Sequence, residues 1–118
     1  MVIVEKVFHN KEFRLQMDIS EIGSDLLVVI TGGEAHIGGI SLAQYHENEN
    51  KKGSFTTTQS TLCVYGHKEG TISNFVSEAL SKKTEKNVVA VVGMHWNGIT
   101  QDEIECVNEL LNQLIEKF

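Results

Sequence analysis

Phe13, Leu15, Met17 and Ile19 alternate with Arg14, Gln16 and Asp18, a period of two that predicts a strand with one face buried. Gly23-Ser24-Asp25 then reads as a tight connection. Leu26 to Thr31 is continuous and β-prone, which predicts a central strand covered on both faces. Gly32-Gly33 ends it. Residues 36–44 read as the returning strand, with Ile37, Ile40 and Leu42 as apolar members and Gly38-Gly39 marking a bulge or a close backbone approach. Residues 46–53 are all polar or glycine, the loop expected to be most mobile. Phe55 to Tyr65 is long and threonine-rich, suited to a half-exposed strand. Met1 to Phe8 adds an edge strand.

After Tyr65 the period changes. Ile72, Phe75, Val76, Ala79 and Leu80 fall on one face of a helix, with Thr71 placed to cap it. Asn87 closes the following turn, and Val88 to Val92 reads as a second buried strand. Gly93 to Gly98 is expected to be a loop. Thr100 and Glu103 have capping-box spacing, and Asp102 adds negative charge in the first turn. Ile104, Val107, Leu111, Leu114 and Phe118 continue the helical spacing. The order predicts an α+β fold: a mostly antiparallel sheet of five to six strands, two helices on one face, and a closing helix–strand–helix. Residues 1–118 are expected to form a single domain. The other sheet face is left without a cover, and its expected threonine-rich composition could stand water or serve as a homodimer surface.

Composition narrows the function classes. The chain has 118 residues and a formal net charge of −6, which argues against a nucleic-acid binder. No apolar stretch approaches the roughly 18–20 residues of a membrane span. No signal peptide is visible, so a cytoplasmic location with reduced thiols is expected. Cys63 and Cys106 form no C-x-x-C pair, and Cys63, beside Leu62 and Val64, reads as a core thiol. A Walker loop is absent: Gly33 to Gly38 has the right gap, but Gly39 stands where lysine is required. No G-x-G-x-x-G opens a helix, and Ser60, Ser73 and Ser77 lack a nucleophile-elbow setting. The carboxylates at 102, 103, 105 and 109 read as a solvated helix face.

Three histidines sit beside glycines at expected strand ends: His36, His67 and His95. Glycines there allow tight turns and close approach of a ligand to backbone N–H groups. Gly66 to Thr71 also precedes a helix start, which favours an anion such as phosphate. Two readings stand: a shared ligand or metal pocket, or three separate surface histidines. Spacing alone favours the second and assigns no metal ligand, because H-E-x-x-H and H-x-H are absent. His9 and His46 read as plain surface residues. Trp96 either stacks on a planar ligand or folds back over the second helix as a lid.

Ile30-Thr31-Gly32-Gly33, His36-Ile37-Gly38, Gly66-His67-Lys68-Glu69, Gly93-Met94-His95-Trp96-Asn97 and Thr100 together resemble the small D-type subunit of gallate decarboxylase, a family described as prenylated-flavin chaperones. The likeness runs from about residue 12 to 118. Trp96 and Asn97 depart from the family pattern, which often has an aliphatic and an acidic residue there. The segment order is also similar to the third and fourth eukaryotic proteasome assembly chaperones, which are dimers of a sheet with two helices. The resemblance implies a non-catalytic accessory protein that binds prenylated FMN or FMN for a separate UbiD-type decarboxylase. The ligand contacts it implies are His36, Gly38, Gly66, His67, Lys68, Glu69, Gly93 and His95, with Trp96 suited to a planar ring. The alternatives are an assembly chaperone without a small ligand and a small histidine-dependent metal-binding protein.

Overall fold

The computed structural model describes residues 1–118. In chain order the elements are β1 (Val2–Phe8), β2 (Lys11–Ile22), β3 (Asp25–Gly33), β4 (Gly39–Glu47), β5 (Phe55–Cys63), α1 (Gly70–Thr84), β6 (Val88–His95) and α2 (Gln101–Glu116). They form an α+β fold around one six-stranded sheet in the order β1-β2-β3-β6-β4-β5. Neighbouring strands are antiparallel except β3 and β6, which run parallel. The mostly antiparallel sheet and the closing helix–strand–helix match the sequence pattern. No helix is long and apolar enough to cross a membrane.

Both helices lie on one face of the sheet, α1 over β4, β5 and β6 and α2 over β1 and β2. The core lies between them and the sheet. Phe13, Leu15 and Met17 of β2, Val28 and Ile30 of β3, and Val88, Ala90 and Val92 of β6 all point into it. The period-two pattern of β2 is therefore a true half-buried strand, although Ile19, beyond the reach of the helices, is 37% exposed. Its entry and exit are tight turns. Phe8 pairs with Lys11 around His9 and Asn10, both at positive φ, and Ile22 pairs with Asp25 around Gly23 at φ 61°.

The strand Leu26 to Thr31 is central, as expected, but it is covered on one face only. Leu27, Val29 and Thr31 stay half-buried because no layer packs on the far side. That far face is aliphatic in the middle. Leu27, Val89 and Leu42 form one cross-strand row, and Val29, Val91, Ile40 and Leu62 form the next. Threonines dominate only the edge strand β5. The returning strand also differs from expectation: it starts at Gly39, and β6 enters between it and β3.

Helix α1 is rotated from the face its hydrophobic residues suggest. Phe75 is 47% exposed, whereas Ser73, Ser77 and Ser81 are buried with Val76 and Leu80. Small side chains at this spacing let the helix sit close on β4. Each hydroxyl is satisfied: Ser73 donates to the Gly70 carbonyl, Ser77 to Ser41 Oγ at 2.9 Å, and Ser81 to the Lys86 carbonyl at 2.6 Å. Thr71 does not cap α1. The cap position is Glu69, without a side-chain capping bond, and Glu85 in the left-handed region ends the helix. Asn87 instead accepts the Tyr45 N–H through Oδ1 and tethers β4. Cys63 is exposed on edge strand β5 rather than in the core, while Cys106 is buried.

The capping box of α2 is present: Thr100 Oγ1 accepts the Glu103 N–H, and Glu103 Oε1 accepts the Thr100 N–H at 2.9 Å. Glu103 is not solvated, as its position had suggested. It is 1% exposed, and Lys11 from β2 lies 3.2 Å from its carboxylate. The Thr100 N–H, with Lys11 adding to it against an opposing desolvation, holds the Glu103 carboxyl below its usual value of 4.5. A depressed folded pKa means stability that is present above the unfolded value and lost as pH falls through the folded one. Glu103→Gln keeps the box but removes the charge. We expect it to lower the urea midpoint at pH 7, with the deficit closing as pH falls below about 4.5, in denaturation series across pH.

Candidate functional site

The parallel pair β3–β6 puts two carboxyl ends side by side, where open sheets tend to bind ligands. Gly93, Met94 and His95 were expected in a loop; they extend β6 by pairing with Thr31, Gly32 and Gly33. The segment between β3 and β4 folds over this end. Glu34 N–H donates to the His95 carbonyl, Gly38 N–H to the Val92 carbonyl, and Val64 N–H to the Gly38 carbonyl. Residues 34–38 are thus pinned between β6 and the end of β5.

Glycines make this packing possible. A β-carbon at Gly93 would overlap the His36 carbonyl, one at Gly38 the Glu69 carboxylate, and one at Gly70 the Cys63 sulfur. Gly32 and Gly33 seat the indole of Trp96, whose ring atoms would lie 2.8–3.0 Å from an added β-carbon. Trp96 also meets Phe13 edge-on at 5.6 Å. It packs against the core as a lid, and the same indole lines a cleft.

Two neighbouring clefts result. One, about 390 Å³, is lined mainly by Ile72, Met94, Trp96, Ile99, Ile104 and Val107, with Lys68, Glu69, His95 and Asn108 as polar members. It opens between the first turns of α1 and α2. The other, about 280 Å³, is lined by Glu34, His36, His67 and His95. The three histidines therefore converge, which spacing alone did not favour.

Glu69 joins the clefts. It is 8% exposed as a residue, held against Gly38. Its Oε1 is 2.8 Å from His36 Nε2, and its Oε2 is 3.6 Å from His67 Nδ1. That Oε2 is buried without a hydrogen-bond partner. His36 Nδ1 donates to the Glu34 carbonyl at 3.0 Å, and the His36 and His67 rings lie 4.4 Å apart. The hydrogen bond to the Glu34 carbonyl, followed by the bond to Glu69, raises the His36 pKa above 6.5 despite partial desolvation. His95 Nε2 turns to Asn97 Oδ1 at 2.9 Å.

Of the residues singled out in the sequence, His36, His67, Lys68, Glu69, His95 and Trp96 line the clefts, and Gly38 and Gly93 make room behind them. Gly66 stands apart, with open space around it and a turn at φ 81°. Glu34 and the apolar wall of Ile72, Met94, Ile99, Ile104 and Val107 also line the clefts and carry no site signal in the sequence. Helical spacing identified Ile72, Ile104 and Val107 as core, and nothing in the sequence placed them beside Trp96.

A family model described as a prenylated flavin chaperone LpdD-like domain matches residues 9–118. No curated protein matches the chain.

Gly93→Ala tests the clamp. The added methyl must push residues 34–38 off β6, an overpacking cost of about 1–3 kcal/mol. The expected result is a lower urea midpoint together with loss of the His36 ring hydrogen bonds, read from imidazole 15N shifts.

Proposed function

The chain belongs to the prenylated flavin chaperone LpdD-like family, and from that premise we propose that it is a non-catalytic accessory protein that binds prenylated FMN, or FMN, and hands it to a separate decarboxylase of the UbiD type. The observation that carries this reading is the apolar cleft beneath Trp96, which adjoins the histidine cleft. Its volume of about 390 Å³ falls within the roughly 300–1,000 Å³ common for small-molecule sites. A planar isoalloxazine ring suits an indole and an aliphatic wall, and the phosphate suits Lys68 at the start of α1. His36, His67, Glu69 and His95 would hold the polar end, with Gly38 and Gly93 giving the backbone its close approach; Gly66 would contribute only through its turn. The location fitting this role is the cytoplasm.

A ligand selective for the folded state must stabilise it, by about 2.7 kcal/mol at a hundredfold excess over Kd. The thermal midpoint is expected to rise with prenylated FMN or FMN and to rise less in Trp96→Ala and in His67→Ala with His95→Ala. An unshifted midpoint across reduced and oxidised cofactor would sink the reading.

The uncovered sheet face supports a homodimer. Its rows of Leu27, Val89 and Leu42 and of Val29, Val91 and Ile40 are half-buried aliphatics with no covering layer. A second copy would present the same rows and bury both. The expected mass by light scattering is twice the 13.1 kDa of the chain. Val29→Lys with Val91→Lys should return the monomer mass while the far-ultraviolet circular dichroism stays unchanged.

A further inference from the structure

We propose that His36, His67 and Glu69 form a binding site for a first-row divalent transition-metal cation. One ligating atom from each lies within 4.8 Å of the others. Two donors bound to one ion at about 2.1 Å are separated by about 3–3.4 Å. The Glu69 oxygens stand 2.8 Å from His36 Nε2 and 3.6 Å from His67 Nδ1, on either side of that range. The His67 side chain is 36% exposed and free to turn the remaining distance.

Three further features point to a ligand rather than to a plain ion pair. The Glu69 Oε2 is buried and unpartnered, so the carboxylate has an unmet need for a positive group. The far nitrogen of His36 donates to the Glu34 carbonyl, which orients Nε2 inward as metal-binding histidines are commonly oriented. Gly38 leaves the carboxylate its place, since any side chain there would displace it. Two imidazoles and one carboxylate suit zinc or iron(II) better than magnesium or calcium, which prefer oxygen donors.

The set leaves coordination positions open toward the cleft shared with Glu34 and His95. This matters for an anionic ligand, a step that rests on the cofactor reading above. Lys68 is the only lysine or arginine lining the two clefts, against the carboxylates of Glu34 and Glu69. A bound dication would reverse that local charge and could take a phosphate oxygen at an open position.

The test uses the full chain after chelator treatment, titrated calorimetrically with Zn2+ and followed with Co2+ by visible absorption, both without flavin. One equivalent is expected, with affinity falling at least tenfold in His67→Ala and in Glu69→Gln and unchanged in His46→Ala. Circular dichroism checks folding; if Glu69→Gln unfolds, the exposed His67 substitution decides. Absence of stoichiometric uptake, or uptake that survives His67→Ala, overturns the site. Zinc uptake without any flavin binding would keep the site and sink the cofactor reading, and flavin binding without zinc uptake would do the reverse.

Discussion

Parallel pairing of β6 with β3 organises both the core and the clefts. It places a strand from the last third of the chain in the middle of a sheet begun by the first third. The connections on either side of β6 must then carry α1 and α2 to one face, where Val88, Ala90 and Val92 complete the core. The pairing also continues to the carboxyl ends, Thr31 to Gly93 and Gly33 to His95. That extra length brings Trp96 over Gly32 and Gly33 and holds open the space beside it.

The site follows from close backbone approach more than from any single side chain. Residues 34–38 reach β6 because Gly93 has no side chain, and Glu69 reaches His36 because Gly38 has none. The serine stripe of α1 acts in the same way on a larger scale. Ser73, Ser77 and Ser81 let the helix settle against β4 while their hydroxyls stay bonded. That close seat fixes the helix start, and with it Glu69, beside the histidines. A buried carboxylate is costly without partners, and the local charge of this site is set by how Glu69 is matched.

The two faces of the sheet have different consequences. One is closed by helices and holds the core and the apolar cleft. The other carries aliphatic rows that have no cover within the chain. The histidine cleft sits at the carboxyl end of the β3–β6 pair, where the His36 carbonyl overlies Gly93.

Elements whose signals are local can be read directly from the order of residues. The alternation of Phe13, Leu15 and Met17, the capping box at Thr100 and Glu103, and the stripe through Val107, Leu111 and Leu114 each depend on neighbours a few residues away. The resemblance likewise selected the loops that line the clefts. Features that bring together residues far apart in the chain emerge only in the folded protein. Hydrophobic spacing identified Phe75 as core, but the closeness of β4 favoured the serines. Continuous apolarity suggested that β3 is covered twice, yet no layer arrived for its second face. Helix position made Glu103 look solvated until Lys11 from β2 closed over it. The convergence of His36, His67 and Glu69 belongs to this second class, because it depends on where β6 inserts, and no period along the chain records that insertion.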